Sequence, residues 1–278
     1  MPAHDARFNR QLCAVRGKVL LGFTDYHSHI LPALDDGARD VQESLRMAAI
    51  LAAAGFQTVH CTPHRLVGAF EATPAQVAVQ VAALQRSVDA AGIPVQLLPG
   101  MEYYLDEFLL YNLKTPLPLG NSSLLLIEAP LQAIPPALER SLRQVKDTGF
   151  TPLIAHPERC QVFFTNDGVK PAAGLNLRQT LSDLLPGRGA RPVSIQPNVS
   201  LLERITEMGC RFQADIGSFA GKFGGEVQRR ALTLLDKGIY TNLGSDAHRS
   251  TELAETLQRG LQVIEETVGK KALVKLLK

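Results

Sequence analysis

The chain has 278 residues, of which 45% are hydrophobic and 20% charged, with a net charge of +2. That length can bury a sizeable core in one large domain or two small ones. The near balance of charge, without a Lys or Arg run, argues against nucleic acid, and no apolar run approaches a bilayer span.

Residues 1–20 carry Arg7, Arg10, Arg16 and Lys18 ahead of an apolar stretch of about five residues, too short for a secretory signal. They are expected to form a flexible extension of a cytoplasmic protein, with 21–278 as a single domain. Cys13, Cys61, Cys160 and Cys210 have neither paired nor CxxC spacing and are expected to be reduced, buried thiols. The run Val19–Phe23 predicts a buried first strand, followed by Asp25-Tyr26-His27-Ser28-His29 and the turn Asp35-Asp36-Gly37. Alternate side chains of an extended segment share a face, so His27 and His29 can point together. Asp40-Val41-Gln42-Glu43 is a capping box, and apolar spacing then predicts a helix ending at Gly55.

Gln57–Cys61 predicts a second strand, running out into Thr62-Pro63-His64. Thr73-Pro74 opens a helix to about Ala91. Val95–Leu98 predicts a third strand before Gly100-Met101-Glu102, and Leu124–Ile127 a fourth before Glu128. A helix from Pro136 to Thr148 precedes a fifth strand, Pro152–Ala155, and His156-Pro157-Glu158-Arg159. Residues 166–198, rich in Gly, Pro, Asn and Ser, predict a long inserted excursion with one short helix near Leu177–Leu185. A helix from Ser200 to Met208, a sixth strand at Arg211–Ala214, a helix over Glu226–Lys237 and a seventh strand at Tyr240–Leu243 follow. Ser245-Asp246-Ala247-His248 comes next, then a helix over 251–278.

Strand, loop and helix thus alternate about seven times, which predicts an α/β fold with a parallel sheet closed or nearly closed into a barrel. In such barrels the site lies at the carboxyl ends of the strands. His27, His29, His64, His156 and His248, five of the seven histidines, fall there with Glu102, Glu128 and Asp246. With Asp36 they make nine candidate metal ligands: His27, His29, Asp36, His64, Glu102, Glu128, His156, Asp246 and His248. One ion cannot use nine; two need bridging carboxylates, and three are feasible. The all-nitrogen-and-oxygen set favours manganese, iron, zinc or magnesium. Closely spaced divalent ions suit phosphate-ester hydrolysis by a metal-activated hydroxide, and Arg159 is placed to clamp the phosphate. Asp25 is expected to orient a histidine, Asp35 to cap its turn, and Asp246 or a metal-bound water to serve as the acid. His60, inside the second strand, is expected to be a satisfied core histidine. Glu158 is expected to be structural, and Tyr103, Tyr104, Phe108 and Tyr111 to pack locally or wall an aryl substrate. No Cys-x5-Arg loop, Walker P-loop or dinucleotide fingerprint is present.

These motifs together resemble the PHP (polymerase and histidinol phosphatase) superfamily over about residues 23–250. Ile127-Glu128-x-Pro130, Ala155-His156-Pro157-Glu158-Arg159 and Gly217-Ser218-Phe219-Ala220-Gly221-Lys222-Phe223-Gly224 resemble its bacterial capsule-type protein-tyrosine phosphatases, the CpsB/YwqE group. The resemblance implies a distorted (βα)7 TIM-like barrel with a trinuclear site built from the nine residues above and a phosphate-binding Arg159. It implies dephosphorylation of a tyrosine cluster on a bacterial tyrosine kinase tail that controls capsule or exopolysaccharide synthesis. The group often has a second histidine after Thr-Pro-His, here Arg65, and an arginine five residues after the last histidine, here Leu253. Arg65 and Arg249 are the candidates to supply that charge. The rival readings are a small-molecule phosphatase of the histidinol-phosphate kind, a non-catalytic PHP module holding metal structurally, and a metal-dependent amidohydrolase.

Overall fold

The computed structural model describes residues 22–130, 135–166, 195–197 and 199–278. The described strands are Phe23–Ser28 (β1), Phe56–Cys61 (β2), His64–Arg65 (β3), Gln96–Pro99 (β4), Glu102–Tyr104 (β5), Leu124–Glu128 (β6), Thr151–Ala155 (β7), Phe164–Asn166 (β8), Ile195–Pro197 (β9), Arg211–Asp215 (β10) and Asn242–Gly244 (β11). The helices are Val41–Ala53 (α1), Pro74–Ala90 (α2), Leu109–Asn112 (α3), Pro135–Asp147 (α4), Val199–Glu207 (α5), Ile216–Ala220 (α6), Gly225–Asp236 (α7), Leu253–Val268 (α8) and Lys270–Leu276 (α9). The predicted caps set two of the starts. Asp40 accepts from the Glu43 N–H at 2.8 Å, and Thr73 and Gln76 form a reciprocal capping box.

One parallel sheet runs β1-β2-β4, and a second runs β11-β10-β7-β6-β5-β3. β2 and β3 are halves of one strand interrupted at Thr62-Pro63, where proline supplies no N–H for a ladder; β4 and β5 are likewise interrupted at Gly100-Met101. The two sheets are therefore one surface, and its ends meet. Ser28 bridges Ala247, the His29 N–H donates to the Ala247 carbonyl at 3.0 Å, and the Asp246 N–H donates to the His27 carbonyl at 2.9 Å. The result is the expected distorted seven-position barrel. Alternation along the strands sorts its layers. Leu124, Leu126, Leu153 and Ala155 form an inner cluster, while Leu125, Ile127 and Ile154 join the larger core beneath the helices.

Several boundaries differ from the sequence reading. Of the predicted first strand Val19–Phe23, residues 19–21 lie outside the described residues; past its predicted end the strand continues to Ser28, because the ladder with β2 runs from Phe23 against Phe56 to Ser28 against Cys61. Strand β1 therefore contains His27. The last strand is Asn242–Gly244, in register with Gln213–Asp215, and Tyr240 instead turns its hydroxyl to Glu158 at 2.9 Å. The predicted helix 251–278 is broken into α8 and α9 by Gly269 at φ 82°. The predicted helix near Leu177–Leu185 and the extension 1–20 lie outside the described residues. The base of the excursion is described: β8 and β9 pair antiparallel. Cys61, Cys160 and Cys210 are buried in no disulfide, and Cys13 lies outside the described residues. No helix among the described residues is long and apolar enough to cross a membrane.

Candidate metal centre

Strand register assembles the site. His64 lies level with Glu102, Tyr104 with Glu128, and Glu128 with Ala155, one residue before His156. The β1–β11 seam then brings His27 and His29 against Asp246. Gly244 makes that approach possible, since a Cβ there would lie 2.5 Å from the His27 Cβ. His156 at φ 30° and Asp246 at φ 46° hold left-handed backbone that side chains other than glycine rarely adopt. That strain sits on two of the predicted ligands.

Hydrogen bonds behind the imidazoles fix where their lone pairs point. The His27 Nδ1 faces the Gln213 Oε1 at 3.0 Å, and the Gln213 amide nitrogen is used on the Ala214 carbonyl at 2.6 Å. The His29 Nδ1 faces the Asp35 carboxylate at 2.7 Å, and the His248 Nδ1 faces the Asp246 carbonyl at 2.9 Å. Each partner is an acceptor, so each Nδ1 carries hydrogen and each Nε2 offers a lone pair forward. The Nε2 atoms of His27 and His29 then face each other at 3.0 Å, fully buried. Two lone pairs at that distance need positive charge between them.

The carboxylates supply the matching field. Glu102 is 0% exposed, and its Oε2 lies 3.2 Å from His27, 3.4 Å from His29 and 2.9 Å from His64. Yet that oxygen meets no donor with hydrogen-bond geometry, as expected of an atom aimed at a shared cation. Burial alone would depress His27, but Glu102 and Asp246 overcome it and raise its pKa to about 9. Burial and then the Arg159 charge lower His156 to about 4, leaving it neutral and able to ligate. Burial would raise Asp35, yet the His29 ring and two backbone N–H groups bring it down to about 2. The centre thus gathers positive charge around ionised acids, which divalent cations satisfy better than protons because one ion answers several donors.

Among the described residues, four donor groups each have their ligand atoms within 4.8 Å of one another: His29, Asp36, His64 and His248; His27, His29 and Asp246; His27, Glu102 and His156; and His64, Glu102 and Glu128. Together they contain all nine predicted ligands and no other residue. His27, His29, His64 and Glu102 each belong to two groups, so neighbouring ions would share walls.

The other predicted residues fall as follows. Arg159 reaches in from a 3₁₀ turn, its Nη1 2.6 Å from the Asp246 Oδ2 and 3.7 Å from the Asp215 Oδ2. Asp25 is fully buried but meets no imidazole. It accepts from the Ser245 N–H at 2.8 Å, the Ser245 hydroxyl at 2.6 Å and the His27 N–H at 3.2 Å, tying the β1 and β11 ends together through backbone. The role of orienting a histidine falls to Asp35, which also accepts from Gly37 at 2.8 Å and so caps its turn. His60 is buried as predicted, but its Nδ1 has no partner; burial holds it neutral, at about 4, against Tyr26. Glu158 is structural, accepting from the Asp215 N–H at 3.0 Å and the Tyr240 hydroxyl at 2.9 Å. Neither Arg65 nor Arg249 lines the metal cavity. Arg65 turns outward, and Arg249 binds the carbonyls of Asp36, Gly37 and His248.

The sequence reading missed Gln213, Asp215, Leu66, Phe70 and the use made of Phe223. Gln213 and Asp215 sit in and at the end of the sixth strand, which carried no histidine as a signal. Leu66 and Phe70 line the cavity, of about 220 Å³, together with Tyr104 and Arg159. Phe223, within the Gly217–Gly224 segment, covers the Arg159 guanidinium at 4.7 Å.

Because Asp35 fixes the His29 ring, Asp35→Asn is expected to weaken metal affinity about 10- to 100-fold without loss of fold. Titration of the metal-free protein with manganese checks this. An unchanged affinity would mean that the imidazole orientation comes from packing alone.

A family model described as "Capsular polysaccharide synthesis, CpsB/CapC" matches residues 23–171 and 190–278. The tyrosine-protein phosphatase YwqE of Bacillus subtilis (strain 168) is 30% identical over 247 residues, covering 88% of this chain and 85% of that protein. A solved structure from work on YwqE of B. subtilis and CpsB of Streptococcus pneumoniae, described as unique metal-dependent tyrosine phosphatases, superposes with a TM-score of 0.72. It is 29% identical and covers 91% of this chain and 90% of that one. A histidinol phosphate phosphatase of Lactococcus lactis, solved with zinc, L-histidinol and phosphate, has a TM-score of 0.50. At 13% identity, over 89% of this chain and 94% of that one, the likeness is one of fold.

Proposed function

The chain belongs to the CpsB/CapC family of capsular polysaccharide synthesis, and from that premise we propose that it is a metal-dependent protein-tyrosine phosphatase acting in capsule or exopolysaccharide synthesis. The observation that carries the chemistry is the nine-residue donor set, whose four overlapping groups open into one cavity beside Arg159.

In this reading His27, His29, Asp36, His64, Glu102, Glu128, His156, Asp246 and His248 hold two or three divalent ions, manganese being our choice. When bound, such ions polarise a phosphoryl group and acidify water at neutral pH. The chain's own residues do the rest. Arg159, stacked under Phe223, offers a planar fork for two phosphoryl oxygens, and the incoming phosphate displaces it from Asp246. Leu66, Phe70 and Tyr104 give the same cavity an apolar side that accepts a phenol ring. Tyrosinate, with a pKa near 10, is a tolerable leaving group, and Asp246 is no proton donor to it, since burial would raise its carboxyl but His27 and His29 hold it well below the usual carboxylate range. Asp25 has no access to the substrate in this arrangement and serves by fixing the backbone of His27 and Ser245.

The proposed substrate is a phosphotyrosine segment of a protein, with the tail of a bacterial tyrosine kinase as its source and the cytoplasm as its setting. The test compares a phosphotyrosine peptide with histidinol phosphate, after chelation and after manganese is restored. Metal-restored turnover of the peptide in preference to histidinol phosphate is expected. The opposite preference would overturn the substrate, and bound metal without turnover of either would overturn the enzyme.

A further inference from the structure

A second cavity, of about 350 Å³, lies behind the strand pair that carries His64 and Glu102. Side chains alternate along a strand, so Arg65 and its register partner Tyr103 face away from the metals. They line this cavity with Thr73, Tyr111, Asn112 and Lys114, and among the described residues no Asp or Glu lines it. Among the described residues Arg65 is held by neutral acceptors, its Nε on Asn112 at 3.0 Å and its Nη1 on the Ala72 carbonyl at 3.3 Å. Lys114 stands over the Tyr111 ring at 4.9 Å. The amino-terminal end of α2 opens here as well, at Thr73-Pro74, adding the positive end of its dipole. A half-buried guanidinium and an ammonium, unanswered by any acid in their cavity, call for an anion from outside.

The place of the cavity selects the anion's carrier. Leu66 lines the metal cavity and Arg65 this one; Tyr104 lines the metal cavity and Tyr103 this one. Only the thickness of the β3–β5 pair thus separates the two cavities. Beside it, α3 and the residue before it leave Phe108, Leu110 and Tyr111 exposed by 42%, 41% and 62%. An extended peptide advances about 3.3 Å per residue, so a side chain about two to five positions from a phosphotyrosine can pass from one cavity to the other.

Resting on the phosphotyrosine reading, we infer that this cavity is a docking site for an acidic side chain, Glu or Asp, of the polypeptide whose phosphotyrosine enters the metal cavity. It makes the enzyme prefer phosphotyrosines in acidic surroundings, without a role in the chemical step.

The test measures KM and kcat for three substrates: a phosphotyrosine peptide flanked on both sides by glutamates, the same peptide with glutamines, and 4-nitrophenyl phosphate. The double substitution Arg65→Gln, Lys114→Ala is expected to raise KM for the acidic peptide about tenfold at unchanged kcat. The glutamine peptide and 4-nitrophenyl phosphate should stay within about twofold. An unchanged KM for the acidic peptide overturns the inference. So does an equal loss on 4-nitrophenyl phosphate, which would place the effect on the metal centre through β3. Lys114→Glu, at an exposed position, guards against a folding defect: it should weaken the acidic peptide and improve one flanked by lysines, and indifference to both overturns docking. If the wild type hydrolyses none of the three, the phosphatase reading falls, and docking is then decided by calorimetry. The acidic peptide's Kd should weaken about tenfold in the double variant, and equal Kd values overturn it.

Discussion

Replacing Glu102 by glutamine is expected to abolish turnover, by at least about 10³-fold, and to remove at least one equivalent of bound metal. Glutamine keeps the shape of the side chain and removes its charge, so packing is not what is tested. The carboxylate is 0% exposed, belongs to two of the four donor groups, and lies within 3.5 Å of His27, His29, His64 and His156. An amide there would turn two N–H groups or a weaker acceptor toward the same space, and the ions sharing that wall would lose their common anion. The measurements are the metal content of the purified variant and kcat on 4-nitrophenyl phosphate over a range of added manganese. A variant with full metal content and turnover within tenfold of wild type would show that the ions lie elsewhere.

Arg159→Ala is expected to lower kcat/KM by about 10²- to 10³-fold while leaving metal content unchanged. The guanidinium lines the metal cavity, and among the described residues no other Arg and no Lys does. Its surroundings hold it firmly charged: burial acts against this, but Asp246 and Asp215 raise its pKa above the usual arginine value. Phe223 keeps its plane fixed at one face. Arg159→Lys restores charge without the fork and should recover only part of the loss. Competition by inorganic phosphate separates binding from chemistry: it should weaken in the alanine variant. If kcat/KM and phosphate inhibition both stayed within about threefold of wild type, the phosphate would have to be held by the ions alone.

Much of this site is legible in the sequence because barrels place their chemistry at strand ends. An apolar run followed at once by His, Glu or Asp, repeated around the chain, marks the rim wherever it occurs. Eight of the nine donors are marked in this way, Asp36 comes from the turn Asp35-Asp36-Gly37 beside the first motif, and all nine converge. Capping residues likewise fix helix starts, since Asp40 and Thr73 act on N–H groups within three residues.

The remainder depends on residues far apart in the chain. Nothing near Gln213 announces that it fixes the ring of His27, 186 residues away. Asp25 and Asp35 are both acids beside the first motif, and only the fold decides between them. β1 turns Asp25 toward Ser245, and the Asp35-Asp36-Gly37 turn folds Asp35 back onto His29. Strand β1 runs past its predicted end at Phe23 because hydrophobicity marks burial, while the ladder to Phe56–Cys61 carries pairing on to Ser28. Arg65 could not be placed from sequence, since one residue along a strand separates the metal face from the outer face. The sequence alone determined which side chains meet at the rim, because strand-end placement is a local property. Tertiary structure decided which partners orient them and which arginine faces the phosphate, because those depend on register and on contacts between distant strands.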